Sequence, residues 1–580
     1  MDTQKNRKKF LLLASYDEYA LGLRLLASLL LEMGHDVRLV MFKKFSLGVR
    51  RPPTEKEWEL LERTLADYAP DFVGISLLSI PVIDEPRLFR TAREACPGAV
   101  VVCGGFGPTL ENRRFLDYGC DYIVCGEGEG AMVDMARALE KGEDFRAIPN
   151  LAWLENGEVV KNPLRPLADL AGLPFALHGD SHILCIEEDD VRRVDPMLQE
   201  RGMYLTSTSR GCTGRCTYCA GGNWLGLYRK EHPSCSRYRA RPTEEVLREC
   251  ERAKKLGASY LFFLDEYFIR PEKEYFAFFT AYKERVGIPF GLMVHTAFLE
   301  KDEARFRVFW EAGVHDIEIG VQSASPHIAR DIFHRSVDAG CQMRAIRKMH
   351  DHWVSTSVDF ITGHHLESEE DFRCTLDFVR DLPFDIAWPE RTHIQAFYLA
   401  LLPGAKIGEL YPELREDPMP AAEKEFRQRS LYLRHILKDD EEFFAVYRNP
   451  FFREHPGALK TVFQRVFARL TAEFWQQTLQ RLEGRDIYFY GAGQQYQTFK
   501  HMFRRCRPRA ILLDGTPAQA SIDGLPVLST DEVLAAGDPC PVILFSATPG
   551  KMATHILRSR PEFSDLIPCY ATVYPQLFLS

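Results

Sequence analysis

Short, nearly continuous apolar runs alternate along this chain with longer stretches whose apolar residues recur at helical spacing. In the first part, up to roughly Glu143, the runs Phe10–Ala14, Val37–Phe42, Phe72–Ser76, Val100–Cys103 and Tyr122–Cys125 predict five strands with helices between them. That alternation predicts a parallel, doubly wound α/β sheet, which binds ligands beyond the carboxyl ends of its strands. A second series spans Met203 to about Lys406: Tyr204–Thr208, Tyr260–Leu264, Phe290–Val294, Asp316–Val321, Ser357–Ile361 and Ile394–Leu399. Six strand–helix units predict a partial (β/α)6 barrel with its active site at the C-terminal mouth.

Between the two, residues 146–200 read as a connector. It opens with a hairpin around Glu155-Asn156-Gly157-Glu158 and continues as a Pro-containing, acidic stretch through Glu187–Asp190. Pro418 to Leu482 reads as helical. Its stripe of Val462, Phe463, Val466, Phe467, Leu470 and Phe474 has the spacing of an interdomain packing face. From Arg485 the runs Ile487–Tyr490, Ala510–Leu513 and Val542–Ser546 predict a small Rossmann-like α/β domain. Its Gly491-Ala492-Gly493 turn lacks the third glycine of a dinucleotide fingerprint, since Tyr496 stands there, while Asp514 is spaced for a ribose contact. A structural or substrate-docking role is favoured over dinucleotide binding. The organisation is therefore 1–145, 146–200, 201–415, 416–482 and 483–580.

Composition narrows the function. A chain of 580 residues exceeds a single core, and 46% apolar with 27% charged residues is ordinary for a soluble globular protein. The net charge of −9 and the lack of a basic, aromatic-laced tract argue against nucleic-acid binding. Fifteen cysteines are too sparse for a disulfide scaffold and suit a reducing interior. Lys5 to Ala14 briefly mimics a signal peptide, but Asp17 and Glu18 end the apolar run, which reads as a first strand. Leu21 to Leu31 contains Arg24 and is too short to span a bilayer. A cytoplasmic protein with no membrane span is expected.

The most specific chemistry is the run Cys212-Thr213-Gly214-Arg215-Cys216-Thr217-Tyr218-Cys219. Three thiolates on one loop can hold three irons of a [4Fe–4S] cube and leave the fourth open to a small molecule. The alternatives are a zinc knuckle, for which Cys235 and His232 are the nearby candidates, or three unrelated buried thiols. This loop, with Tyr218 before its last cysteine, resembles that of the radical S-adenosylmethionine enzymes. The resemblance implies that S-adenosylmethionine chelates the open iron and is cleaved by one electron to a 5′-deoxyadenosyl radical. It also implies an external electron donor such as flavodoxin or ferredoxin. By the same resemblance, Asp265 and Glu266 stand where the methionine amino group is contacted. Gln322 and Ser323 stand near the ribose and carboxylate, with Gln322 where glutamate is usual, and Thr362 lies in the run that frames the adenine. His364 and His365 replace small residues or proline in that run. They read either as a proton acceptor or substrate contact at the mouth, or as a partly solvated loop pair.

The first sheet resembles the cobalamin-binding fold. Asp17, Tyr19 and Gly22 occupy its first motif, Ser76 and Leu78 its second, and Gly104, Gly105 and Phe106 its third, followed by Gly126, Glu127 and Gly128. Tyr19 stands where the axial histidine would be, which implies histidine-off cobalamin. The glycines are expected to let the backbone approach a large flat ligand. The alternative is a sheet that kept its shape and lost its ligand.

Cobalamin sheet followed by radical barrel resembles the cobalamin-dependent radical S-adenosylmethionine enzymes. The resemblance implies methyl transfer from methylcobalamin to an unactivated carbon of a small-molecule or natural-product substrate. A cyclase, ring-contracting or oxidative enzyme on the same scaffold is the alternative, and a non-catalytic sensor is a third reading. Stacked edge to edge, the two domains would place cobalt and cluster across a shared cavity.

Overall fold

The computed structural model describes residues 7–45, 51–78, 82–179, 181–294, 296–335, 338–514, 519–537, 540–545 and 565–569. The expected strand end at Ser546 lies outside these residues.

Five parallel strands form the heart of the first sheet: β1 (Lys9–Ser15), β2 (Asp36–Phe42), β3 (Phe72–Ser76), β4 (Val100–Gly104) and β5 (Tyr122–Val124). Their spatial order β5-β4-β3-β1-β2 reverses direction between β3 and β1, so a ligand crevice opens at the carboxyl ends of those strands. The continuous apolar run of β1 follows from this placement. Phe10, Leu12 and Ala14 enter the core on one face, and Leu11 and Leu13 enter the core on the other.

The stretch read as a connector is woven into this sheet. The hairpin of β6 (Leu151–Glu155) and β7 (Glu158–Lys161) pairs antiparallel with β5, turning at Asn156 and Gly157, both at positive φ. At the opposite edge, β8 (Ile183–Glu187) runs parallel to β2, and β9 (Asp190–Arg192) folds back on it. The sheet thus has nine strands. Ile183, Cys185 and Ile186 are buried, an apolar content that the acidic residues around them had masked.

The second sheet is the partial barrel. β10 (Met203–Thr206) leads into a two-residue ribbon, β11 (Ser209–Arg210) with β12 (Arg239–Ala240). Next come β13 (Tyr260–Phe268), β14 (Phe290–Val294), β15 (Val314–Gln322), β16 (Ser355–Thr362) and β17 (Thr392–Tyr398). The order β10-β13-β14-β15-β16-β17 is wholly parallel and sequential, as six βα units require.

Helix Leu459–Leu482 carries the apolar stripe. Phe463 and Val466 are buried in the barrel core, whereas Phe474 packs on the core of the last domain. The stripe is therefore an interdomain face. The last sheet contains β18 (Asp486–Tyr490), β19 (Arg507–Leu513), β20 (Ser521–Ile522), β21 (Leu525–Ser529), β22 (Val542–Leu544) and β23 (Leu566–Pro568). Its order β20-β21-β19-β18-β22-β23 has the Rossmann-type switch between β18 and β22. Asp514, the candidate ribose contact, instead accepts a 2.5 Å hydrogen bond from the Tyr490 hydroxyl.

Candidate active site

A cavity of about 810 Å³ lies where the carboxyl edges of the first sheet and the barrel meet. The sheet contributes Gly22, Ser76, Gly104, Gly105, Phe106 and Gly126–Gly128. The barrel contributes the cysteine loop, Glu266, Met293, Glu318, Gln322, Arg335 and Asp359. The edge-to-edge arrangement expected from the sequence is what the chain builds.

The cysteine loop starts two residues after β11 and is held from behind. Asp265, wholly buried, accepts hydrogen bonds from the Thr208 amide at 3.0 Å, the Thr208 hydroxyl at 2.9 Å and the Ser209 hydroxyl. Burial raises its carboxyl above the usual range, and the donors from Ser209 and Thr208 act against that shift. Asp265 thus orients the approach to Cys212 rather than facing the cavity. Its neighbour Glu266 does line the cavity and accepts from the Gly211 amide at 3.1 Å.

The three thiols are partly or largely exposed to the cavity side. The Gly214 amide donates to Cys212 Sγ at 3.2 Å, and the Gly221 amide donates to Cys219 Sγ at 3.4 Å. Such N–H donors stabilise thiolate sulfur and tune a cluster's potential. Of the two zinc-knuckle candidates, His232 is engaged elsewhere, its Nε2 2.8 Å from the Leu164 carbonyl. Among the described residues no three His, Cys, Asp or Glu side chains converge on one ion.

Residues 206–379 match the radical SAM superfamily model and residues 8–136 match the B12 binding domain model, together just over half of the chain. The chain is a cobalamin-dependent radical S-adenosylmethionine enzyme. An uncharacterized methyltransferase of Pyrococcus horikoshii is 26% identical over 374 residues, 63% of this chain and 74% of the relative. The anaerobic magnesium-protoporphyrin IX monomethyl ester cyclase of Cereibacter sphaeroides is 25% identical over 342 residues. That match spans 56% of this chain and about half, 52%, of the cyclase. The solved radical S-adenosylmethionine methyltransferase TsrM of Kitasatospora setae shares the fold. Its TM-score is 0.56 at 17% identity, over 70% of this chain and 75% of that one. The cofactors of this enzyme class are a [4Fe–4S] cluster, S-adenosylmethionine and cobalamin.

In this enzyme the run Gly126-Glu127-Gly128-Glu129 ties the first sheet to the barrel. Glu127 accepts from Arg239 and, at 3.2 Å, from Arg210, and takes a 2.8 Å bond from the Ala168 amide; Glu129 pairs with Arg210. Both arginines sit on the β11–β12 ribbon, so two carboxylates of the first sheet clamp the barrel. Burial alone would raise the Glu127 carboxyl, but its hydrogen bond to Arg239 and the Arg210 charge hold it below the usual range.

The glycines at this edge answer mainly to the protein itself. A Cβ on Gly126, at φ +86°, would stand 2.2 Å from the Tyr228 hydroxyl, and one on Gly105, at φ +105°, 2.5 Å from the Leu77 carbonyl. Both positions therefore need glycine for the protein's own packing, and both line the cavity. Gly22 alone of the called glycines has nothing within 4 Å and opens directly on the cavity.

Several expected contacts lie elsewhere. Asp17 accepts from the Ala20 amide at 2.9 Å and shapes the turn into helix Leu21–Glu32, and burial raises its carboxyl. Tyr19 and Leu78 are exposed beyond β1 and β3 without lining the cavity. Ser323 is buried, with its hydroxyl 3.4 Å from that of Thr375, and the Thr362 hydroxyl donates to Glu367 at 2.7 Å. His364 is wholly buried behind the loop, its ring 5.7 Å from that of Phe333. Burial pushes its imidazole down to about 4, so it is neutral. His365 Nδ1 lies 3.0 Å from Asp417. Neither histidine lines the cavity.

Sequence reading missed Arg335, which the fold brings in. Arg335 reaches the cavity from the segment after β15, donates to the Tyr218 hydroxyl at 2.7 Å and to the Gly320 carbonyl, and approaches Cys216 Sγ at 3.9 Å. Trp224, which follows the loop, packs on Phe106 with ring centroids 4.7 Å apart across the domain boundary. Asp359 was legible only as an acidic break in an otherwise apolar strand.

Proposed function

We propose that this enzyme transfers a methyl group from cobalamin to an unactivated carbon of a small-molecule or natural-product substrate. The single observation that carries the reading is the shared cavity: cysteine loop on one wall, glycine-edged sheet on the other. The similarity to the Pyrococcus horikoshii methyltransferase supports it.

Cys212, Cys216 and Cys219 would hold the cluster, and Tyr218, Glu266 and Gln322, which line the cavity, would contact S-adenosylmethionine. Gly22, Ser76, Gly104, Gly105, Phe106 and Gly126–Gly128 would border cobalamin. An apolar arm of the cavity, lined by Leu12, Leu26, Val102, Val124 and Met132, fits a flat aromatic appendage of that cofactor. When bound, the cluster with S-adenosylmethionine supplies a hydrogen-abstracting radical and cobalamin supplies the methyl group. The chain's own part is to set both groups across one chamber and to limit water there; the Phe106–Trp224 contact closes one side.

Among the described residues the histidine that lines the cavity, His334, comes from the barrel and none comes from the sheet. That arrangement supports histidine-off cobalamin. A flavodoxin- or ferredoxin-like donor would deliver the electron. No helix among the described residues is long and apolar enough to cross a membrane, and fifteen cysteines suit a cytoplasmic setting.

The similarity to the Cereibacter sphaeroides cyclase favours the second reading, oxidative or ring-forming chemistry without methyl transfer. Product mass decides between them. Reconstituted enzyme supplied with substrate and labelled S-adenosylmethionine should yield product heavier by one methylene unit carrying the label. Substrate consumption without that gain would overturn methylation.

A further inference from the structure

The cysteine loop and the segment that follows it carry a charge opposite to that of the whole chain. From Arg210 to Arg241 stand seven cationic side chains and one acid, Glu231, in a protein of net charge −9. Three of the seven are paired: Arg210 and Arg239 with Glu127 and Glu129, and Arg241 with Glu249. Arg215, Arg229, Lys230 and Arg237 form no ion pair among the described residues. The carboxylate of Glu231 is engaged elsewhere, accepting from the Leu164 amide at 2.7 Å.

These four cations form one patch. Arg237 donates to the Gly214 carbonyl inside the cysteine loop at 2.9 Å. Its own carbonyl closes on Gly211, where a Cβ would clash with it. Burial, then the charges of Arg229 and Arg215, push the Arg237 guanidinium below its ordinary value, so all three are electrostatic neighbours. Such mutual repulsion costs stability in the free chain and is offset when an anionic surface covers it. Arg215 and Arg237 stand at the rim of the cavity. Arg229 and Lys230, exposed at the end of helix Gly221–Glu231 and absent from the cavity lining, carry the patch onto the outer surface. Beside it the Tyr238 hydroxyl donates to the carbonyl of Ile269, an apolar residue 38% exposed. A small anion inside the cavity would leave the outer two cations uncovered, whereas a protein surface can meet all four.

We propose that Arg215, Arg229, Lys230 and Arg237 form the docking surface for a small acidic redox protein that reduces the cluster. The proposal rests on the reading of Cys212, Cys216 and Cys219 as cluster ligands and adds where the electron donor binds. Unpaired cations beside an exposed apolar residue suit a brief, electrostatically steered encounter rather than a permanent complex. A donor docked there would lie against the loop that holds the cluster, since Arg215 immediately precedes Cys216. The step is a single-electron transfer: the donor loses one electron, the cluster gains it, and no bond forms or breaks.

The test uses the full chain with cluster and cobalamin reconstituted, and an acidic flavodoxin as the probe. Calorimetric titration with oxidised flavodoxin should show binding in about 50 mM NaCl that weakens about tenfold or more in about 300 mM. Arg215→Gln, and separately Arg229→Gln combined with Lys230→Gln, should each weaken binding about fivefold or more at low salt and flatten its salt dependence. With S-adenosylmethionine present, the reduced flavodoxin needed for half-maximal 5′-deoxyadenosine formation should rise by the same factor. In the variant of the outer pair, the rate driven by reduced methyl viologen, a small cationic donor, should stay within about twofold of wild type. No flavodoxin binding, binding indifferent to salt, or wild-type affinity in both variants would overturn the proposal. A parallel fall in the viologen-driven rate of the outer-pair variant would also overturn it, by assigning these side chains to the cluster or the fold. Arg229 and Lys230 are exposed, so their variant carries the test should Arg215→Gln fail to fold. Failure of the underlying reading is seen separately, as wild-type enzyme that forms no 5′-deoxyadenosine with methyl viologen.

Discussion

The backbone amide of Glu127 donates a 2.7 Å hydrogen bond to the hydroxyl of Tyr228, 101 residues away. Tyr228 lies on helix Gly221–Glu231, which follows the cysteine loop, so the cluster-bearing segment is anchored to the edge of the other sheet. Beside it run the Arg210 and Arg239 contacts to Glu127 and Glu129. Relative placement of the two cofactor sites is therefore set by direct bonds rather than by a linker.

Gly126→Ala should disturb this joint. The added methyl would meet the Tyr228 hydroxyl at 2.2 Å, and alanine is strained at φ +86°. A loss of about 2–3 kcal/mol is expected from clash and backbone strain combined. Tyr228→Phe alone should cost about 1 kcal/mol, one hydrogen bond. In the Tyr228→Phe background the Gly126→Ala cost should fall, because the obstructing oxygen is gone. Urea unfolding of the four proteins checks this, and strict additivity would contradict it.

Arg24 and Asp195 form a second joint, fully buried and bidentate at 2.9 Å. Arg24 also donates to the carbonyls of Glu18 at 3.0 Å, Tyr19 at 2.9 Å and Leu177 at 2.9 Å. Asp195 further meets His178, whose other ring nitrogen lies 3.1 Å from the Leu205 carbonyl of β10. Arg24→Met would leave the buried Asp195 carboxylate without its cation, at a cost of about 3–5 kcal/mol. Arg24→Met with Asp195→Asn should recover part of that, as read by denaturant midpoints at constant m-value.

How far the sequence foretold this structure depends on whether the signal was local. All six barrel strands overlap their apolar runs, because parallel strands buried on both faces need continuous apolar sequence. The cysteine spacing is likewise local, and it lands at the mouth. Arg24 and Asp195 are 171 residues apart, and nothing near either announces the other. Arg24 read merely as a charge that interrupts an apolar stretch. β8 hid for a similar reason, since flanking acids disguised four apolar residues. His364 and His365 show the reverse error: residue type suggested chemistry, but side-chain direction, set by packing against Phe333 and by Asp417, took both away from the cavity. Period-two polar positions in β15, at Asp316, Glu318 and Gln322, could have revealed the polar barrel wall.

The Glu127 clamp should weaken in acid. Its folded carboxyl lies below the ordinary value of 4.5, so its contribution to stability is fully present above that pH and is lost as pH falls through the lower folded value. The unfolding free energy of wild type should therefore exceed that of Glu127→Gln near pH 7, with the gap closing steadily below pH 4.5. A gap that widened toward acid would reverse the sign and refute the assignment. Because the carboxylate is mostly buried, added salt should shrink the gap only slightly.

Cys216→Ala separates the two cofactor sites. Cys216 lies on the barrel loop beside Arg335, and the sheet residues that border the other half of the cavity do not depend on it. The variant should lose the cubane absorbance and electron paramagnetic signature after reconstitution and form no 5′-deoxyadenosine. Corrin absorbance after gel filtration should persist within about twofold of wild type, since the apolar arm and the Gly22 and Gly104 edge are untouched. Loss of both cofactors together would mean that the sheet cannot hold cobalamin without an intact cluster loop, and the two-site description of the cavity would fail. Retention of 5′-deoxyadenosine formation would fail it from the other side, by showing that Cys216 is not a cluster ligand.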